Sequence, residues 1–516
     1  MRRGLPLLAA VAAGVLLFCA LPPVGWWPAG PLGLAGWAAL TAGQSPGRRA
    51  LVGWLVGIGL FAPGWWWMTG FTGPGYPVAV LAEAGFYAGA GLVTPSRRGR
   101  IAGFAAAVAG AGIARDHWPF GGVPIAGVAL GQAGGPLLAL ARLGGVPLVT
   151  GATALAGAAL AALATGAVRQ VASRPDRAPD SGLRVMAAGA VALAVVAGLT
   201  AVAAAAPDGG AGRGRIRVAL VQGGGPRGLR AVNRDPSLVF RAQVDAMAAV
   251  RQPVDLVLWP ENVIELDQPL AGSPEDAEMA ALAASYGATV AAGVTEPAGP
   301  DGFLNEAFAW WPDGTRTGPY TKVHRVPFGE WIPFRSVISH LGDVSAVPRD
   351  EVAGRGPGVL ATGAGRVGVM ISYEVFFDDR ALAAVRAGGR VLLVPTNAAS
   401  YTTSQMPLME VAASRLRAVE AGRDLAQAAP TGYTALFDHR GRVLARSGLG
   451  ARQVLQGVLR RRDGRTVFDR VGQAGPDALV GMVLLAAWAA AGRQRVLRRR
   501  RERALPPPAP TATAAG

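Results

Sequence analysis

The sequence predicts two parts: a multi-pass α-helical membrane domain of about eight transmembrane helices, and an α/β domain set ahead of the last of them. Three observations carry this. First, 51% of the 516 residues are hydrophobic, and apolar runs of near-bilayer length recur from residue 5 to residue 206 and again from 478 to 492. Second, the arginines gather in short clusters between alternate runs. Third, from about 207 to 476 strand-like and helix-like segments alternate, which indicates a layered α/β domain.

The apolar runs are Leu5–Leu21, Trp26–Gly43, Leu51–Met68, Pro77–Thr94, Ile101–Trp118, Val146–Val168, Val185–Ala206 and Ala478–Gly492. The first follows Met1-Arg2-Arg3 as a signal peptide would, but no small-residue cleavage site leads into a soluble domain, so it reads as a span. Loops bearing Arg48-Arg49, PSRRGR (95–100) and RQVASRPDRAPDSGLR (169–184) alternate with arginine-free loops at 22–25, 69–76 and 119–135. Cytoplasmic loops keep the basic residues. With both ends basic as well, eight spans leave both termini in the cytoplasm and the α/β segment on the outer face. The expected boundaries are a transmembrane domain at 1–206, the α/β domain at 207–476, a last helix at 477–495 and a basic, then disordered, tail at 496–516. Glu83 and Arg142 fall at membrane depth, where each needs a partner or a polar cavity. Trp65-Trp66-Trp67 reads as an interfacial anchor.

Charge and composition exclude several classes. The net charge of +17 lies in separated clusters without interleaved aromatics, which argues against nucleic acid. A single cysteine, Cys19, permits no internal disulfide and no cysteine-built zinc site. His117, His324, His340 and His439 have no metal-ligand spacing, so neither metal nor cofactor is expected.

Within the α/β segment, strands are expected at 216–222, 255–262, 289–296, within EAFAWWPDG, at RVGVMIS and at 391–397. Helices are expected at 236–250, 274–286 and 405–422, with a hairpin-like pair at 425–438. Ser372 stands where the RVGVMIS strand gives way to a turn before a helix. That is a setting for an exposed nucleophile, or simply for a small residue closing a turn. Glu261 ends the DLVLWPEN strand, at the carboxyl edge where α/β chemistry gathers. Lys322 is the one basic residue that is not arginine, which points to a need for a compact, tunable ammonium. It shares YTKVHRVPFGEWIP with Glu330. A carboxylate base, an ammonium and a nucleophile at a strand end are what acyl transfer through a covalent intermediate requires.

WPEN, YTKVHRVPFGEWIP and GVMISYEVFF, in this order, resemble the Glu, Lys and Cys signatures of the nitrilase, or carbon-nitrogen hydrolase, superfamily. The surrounding spans, the FGEWIP extension and SRLRAVEAGRDLAQAAPTGYTALFD resemble the apolipoprotein N-acyltransferase family. The resemblance implies an αββα sandwich beside the membrane helices, in a bacterial inner membrane. It also implies a phospholipid acyl donor and a diacylated lipoprotein acceptor. By the same resemblance Glu261 is the general base, Lys322 the cation facing the tetrahedral intermediate and the residue at 372 the nucleophile. Glu330 and Glu374 support them, next to Tyr373. The family motif reads Cys-Tyr-Glu, where this chain has Ser372-Tyr373-Glu374, and Gly122-Val123-Pro124-Ile125 stands where Gly-Phe-Pro-Trp is common. Two alternatives stay open: a non-catalytic membrane scaffold that binds lipid or docks a polyprenol-phosphate glycosyltransferase, and a hydrolytic amidase.

Overall fold

Every apolar run becomes a helix. They are α1 (Leu5–Ala20), α2 (Ala29–Leu40), α3 (Pro46–Gly64), α4 (Gly75–Val93), α5 (Arg100–His117), α6 (Ala141–Val171), α7 (Asp180–Ala205) and, after the α/β domain, α14 (Ala474–Ala504). The computed structural model describes residues 5–96, 98–172, 180–226, 235–340, 344–345 and 347–504, the side chains of 180–181 and 494–504 excepted. Arg2-Arg3, Arg97, residues 173–179 of the basic loop and the tail beyond 504 lie outside the described residues. Four segments are long and apolar enough to cross a bilayer: Gly75–Val93, Pro136–Val171, Gly182–Ala205 and Ala474–Arg493. The run expected at 26–43 yields only the 12 residues of α2, because Pro28 precedes it and the Thr41 hydroxyl turns back onto the Trp37 carbonyl at 2.9 Å.

Small residues let these helices touch. A Cβ added at Gly14 of α1 would lie 2.1 Å from the Val56 carbonyl oxygen of α3, and one at Gly59 would lie 2.2 Å from the Val11 oxygen. Glu83 and Arg142 each find a polar partner. Glu83 pairs with Arg115 of α5, whose guanidinium also donates to the Val123 and Ile125 carbonyls at 2.9 and 2.8 Å. Arg142 donates to the Ala203 carbonyl. The three rings of the tryptophan triplet differ in setting. Trp65 is buried and Trp67 packs edge-on against Tyr401 of the α/β domain, which leaves Trp66 as the open ring.

The α/β domain is built on two sheets. The first has the order β14-β1-β2-β4-β5-β6, from β1 (Gly212–Gln222), β2 (Leu256–Leu258), β4 (Thr289–Pro297), β5 (Gly302–Trp310), β6 (Arg316–Thr321) and β14 (Gln453–Arg462). Short β3 (Ile264–Glu265) and β7 (Asp350–Glu351) pair with β4 and β5. The second has the order β13-β12-β11-β10-β9-β8, from β8 (Val359–Thr362), β9 (Gly365–Val369), β10 (Leu392–Pro395), β11 (Leu425–Ala428), β12 (Ala435–Phe437) and β13 (Val443–Arg446). β1, β2 and β4 are parallel, as are β9, β10 and β11. These strands read as continuous apolar runs because both faces are covered. The strand expected at 255–262 is only three residues long, since Pro260 has no N–H to offer the ladder.

Ile216, Leu220, Leu258 and Ala307 of the first sheet meet Val367, Val369, Leu393 and Ala426 of the second in one core. Outside the first sheet lie α8 (Pro236–Met247) and α9 (Pro274–Tyr286); outside the second lie α11 (Asp378–Arg386) and α12 (Met406–Ala421). The result is an αββα sandwich, with α10 (Arg335–Ile338) and α13 (Val467–Val471) as short connectors. α9 starts and stops where its sequence says: Ser273 accepts from the Asp276 N–H, Pro274 follows, and Gly287 closes the helix at φ +58°.

The arginine-free loop at 119–135 and the end of α3 ahead of the loop at 69–76 meet this sandwich. Gln405 donates to the Pro63 and Gly64 carbonyls at 3.0 and 2.7 Å, and the Tyr373 hydroxyl to that of Gly122 at 3.1 Å. Arg49 and Arg100 sit at the other helix ends, on the carbonyls of Gly91, Leu92 and Ala38. The apolar core of α12, through Met409 and Leu416, runs on into that of the membrane helices at Leu138 and Phe61.

Candidate active site

Four polar residues leave the carboxyl ends of strands. Glu261 follows β2, Lys322 follows β6, Ser372 follows β9 and Thr396 follows β10. β6 runs parallel to β2 after two antiparallel steps, so both deliver their residues to one edge of the first sheet. The parallel pair β9 and β10 does the same in the second. Convergence at a carboxyl edge is therefore a property of the topology.

Lys322 is fully buried. Its Nζ lies 3.0 Å from Glu261 Oε1 and 2.5 Å from Glu330 Oε1. Its backbone is pinned on both sides, N–H to the Asn305 carbonyl at 2.9 Å and C=O from the Gly354 N–H at 2.7 Å. Burial alone would lower this ammonium, but the Glu261 and Glu330 charges outweigh it and hold it well above the ordinary lysine range. The expected tunable amine is thus a fixed cation. Glu261 is itself buried, which raises its carboxyl against the pull of Lys322, and Asn305 Nδ2 donates to it at 2.9 Å. Glu330 uses its second oxygen to accept the Val326 N–H at 2.7 Å. Glu351 is buried nearby, and burial followed by the Glu330 charge pushes it well above the ordinary carboxylate range.

Glu374 joins the two halves of the site. It accepts from Ile371 N–H and Val323 N–H at 2.7 Å each and from the Tyr320 hydroxyl at 2.8 Å. One carboxylate therefore spans the neighbour of Ser372 and the neighbour of Lys322. Ser372 holds φ +49°, a left-handed conformation that a non-glycine residue adopts only under constraint from its surroundings. It opens a tight turn through Phe376. Tyr373 buries its ring against Phe376 and Phe377. Among the described residues, the hydrogen bond of Ser372 Oγ is with Thr396 Oγ1 at 3.2 Å, and that hydroxyl is also 2.9 Å from Glu410 Oε1.

Of the residues singled out in the sequence, Glu261, Lys322 and Glu330 touch directly, Glu374 bridges, and Ser372 and Tyr373 form the turn beside them. Sequence reasoning missed Asn305, Glu351, Thr396 and Glu410. Thr396 had a signal, a polar residue at the end of a strand. Glu410 had a weaker one, a lone carboxylate on the apolar face of PLMEVAA.

A groove of about 730 Å³ opens between the carboxyl-terminal ends of α1 and α3 and the 402–405 segment, with Phe18, Pro63, Trp66 and Tyr76 in its walls. None of the residues above lines it. Phe120, Phe328, Trp331 and Phe334 cluster at the junction with the membrane helices, and Phe328 and Phe334 are exposed.

Two family models match the chain: the apolipoprotein N-acyltransferase N-terminal domain over residues 13–159, and carbon-nitrogen hydrolase over residues 217–467. The apolipoprotein N-acyltransferase of Azotobacter vinelandii is 32% identical over 97% of both chains. The chain belongs to the apolipoprotein N-acyltransferase family. It is accordingly an acyltransferase of the carbon-nitrogen hydrolase superfamily, acting in lipoprotein biosynthesis. The family enzyme of Mycolicibacterium smegmatis is 31% identical, over 86% of this chain and 78% of its own. That of Geobacter metallireducens is 32% identical over 55% of each. Saccharomyces cerevisiae Nit3, a nitrilase-superfamily member, is 19% identical over 48% of this chain and 91% of its own, with a TM-score of 0.36.

Proposed function

We propose that the protein moves a fatty acyl chain from a phospholipid onto Ser372, and from there onto the free α-amino group of a diacylglyceryl-cysteine lipoprotein. The observation that carries this reading is the buried Glu261–Lys322–Glu330 cluster tied through Glu374 to the Ser372 turn. Ser372 Oγ gives up its proton to a base of the site as it attacks the ester carbonyl, the proton that the leaving group later takes up, and Lys322 offers a preorganised positive charge to the oxygen on which negative charge develops. Collapse expels the lysophospholipid alkoxide, which takes up a proton. The amine then attacks the acyl-serine and gives up its proton to a carboxylate, for which Glu261 stands ready. Glu330 and Glu374 position Lys322 and the nucleophile turn, and Tyr373 ties that turn to the Gly122 loop.

The proposal includes a setting. Eight helices cross the membrane, the sandwich (207–476) lies on the outer face between the seventh helix and the last (477–495), and both termini are cytoplasmic. Contact of the arginine-free loop at 119–135 and of the adjoining end of α3 with the sandwich, and the position of Arg49 and Arg100 at the other helix ends, support that orientation. The apolar groove and the exposed aromatics fit a lipid substrate.

The test is intact-mass analysis of the purified protein after incubation with phospholipid, then with a diacylated lipopeptide. The expected result is one acyl adduct on a peptide containing Ser372, discharged when the lipopeptide is added, and no adduct with Ser372→Ala. An unmodified wild-type protein would instead leave the scaffold reading, with a membrane glycosyltransferase among the partners to try.

A further inference from the structure

We infer that Thr396 and Glu410 form a relay that draws the proton from Ser372, a second acid–base arm separate from the Glu261–Lys322 cluster. The inference deepens the proposed reaction and rests on Ser372 as its nucleophile.

The geometry is that of a chain of hydroxyls ending on a carboxylate. Thr396 Oγ1 lies within hydrogen-bond distance of both Ser372 Oγ and Glu410 Oε1, yet a hydroxyl has only one hydrogen to give. An ionised carboxylate can only accept. Thr396 must then donate to Glu410, and the remaining contact is filled by Ser372 donating to Thr396. If Glu410 is protonated, every bond reverses: Glu410 donates to Thr396, and Thr396 donates to Ser372. The two arrangements are the two ends of one proton transfer, and no heavy atom needs to move between them.

All three groups are shielded. Thr396 is fully buried, Glu410 is 5% exposed and Ser372 is 8% exposed. Among the described residues the second carboxylate oxygen, Glu410 Oε2, is buried without a hydrogen-bond partner, and Glu410 forms no ion pair. Glu261 differs on this point, since its Oε1 already takes both Lys322 and Asn305. Among the described residues no hydrogen bond joins Glu261 to Ser372 Oγ, whereas Thr396 links that hydroxyl to Glu410. The need is also specific to this chain: an alcohol must lose its proton during attack, whereas a thiol can enter the reaction ionised.

The proton balance closes. As Ser372 Oγ bonds to the acyl carbon, its proton passes to Thr396 Oγ1, and the Thr396 proton passes to Glu410. When the tetrahedral intermediate collapses and the carbon–oxygen bond to the glycerol breaks, a proton is returned to the lysophospholipid oxygen and the relay is reset. In the second half the carbon–nitrogen bond forms, the acyl carbon–Oγ bond breaks, and the proton lost by the amine nitrogen balances the one Ser372 Oγ regains, so no net proton is left on the enzyme.

The experiment measures the rate of acyl-enzyme formation on the full-length protein in phospholipid micelles, by quenched intact-mass analysis from pH 6 to pH 9. Glu410→Gln and Thr396→Val are expected to slow acylation about 100-fold at neutral pH, the usual weight of a positioned base, and to flatten its rise with pH. Thr396→Ser, which restores the hydroxyl, is expected within about fivefold of wild type. Wild-type rates in Glu410→Gln overturn the relay. So does a slower rate with the pH profile unchanged, because that is the mark of a packing role. Absence of any adduct on wild-type Ser372 overturns the nucleophile assignment itself, an outcome separate from the others.

Discussion

Replacing a cysteine by a serine exchanges a weak acid for a far weaker one, and the side chains around position 372 answer that difference. Burial pushes Glu410 up to about 8, with the Glu261 charge acting in the same direction and the Thr396 hydroxyl and Lys322 charge acting against it. Tyr401, the other titratable group in electrostatic contact, is pushed up by burial and stays neutral in this range. A base with a raised value is mostly protonated below it. The acylation rate should therefore climb about tenfold per pH unit below 8 and level off above it. A rate that falls with rising pH over this range would assign the limb to a group acting as an acid. The same logic predicts the outcome of restoring the thiol. In a Ser372→Cys background Glu410→Gln should cost less than about fivefold, because the thiolate no longer depends on the relay. An equal loss in both backgrounds would mean that Glu410 supports the fold of the turn.

Among elements, the Ser372 turn depends on a contact far away in sequence. Glu374 receives the N–H groups of Ile371, Val323 and His324 and the Tyr320 hydroxyl, with Ile371 and Tyr320 buried and the other two half-buried. Glu374→Ala strands these donors, each at about 1–3 kcal/mol, so a loss on the order of 3 kcal/mol is expected as a lowered thermal transition in detergent micelles. An unchanged transition would show that water replaces the carboxylate. This contact also marks the limit of what the sequence discloses. Helix α9 was legible because Ser273, Pro274 and Gly287 are local signals, and so was β9, a continuous apolar run that stops at Ser372. Lys322 stood out because the rest of the basic set is arginine. Glu410 did not stand out, since PLMEVAA satisfies a helical pattern whichever cavity its carboxylate enters. Nor did Arg115, whose partner Glu83 is on a different helix. Partners chosen by tertiary packing leave no periodic trace.

For the molecule as a whole, the question is which way a single continuous core is threaded through the membrane. The α12 layer shares its apolar interior with the membrane helices, so the sandwich cannot swing free, and the side of the membrane it occupies fixes every loop. Two exposed glycines give clean reporters because a side chain at either meets nothing within 4 Å: Gly47 at the arginine-bearing end of α3 and Gly73 at the opposite end. Glu278, exposed on α9, reports on the sandwich. With Cys19→Ala removing the native thiol, Gly47→Cys, Gly73→Cys and Glu278→Cys can each be probed with a membrane-impermeant maleimide on right-side-out vesicles. Gly73→Cys and Glu278→Cys should label on the intact vesicles, and Gly47→Cys only after permeabilisation. Labelling of Gly47→Cys on intact vesicles would invert the topology. Labelling of Gly73→Cys and Glu278→Cys on opposite sides would break the link between the arginine-free loops and the sandwich, and with it the placement of Ser372 next to a lipid surface.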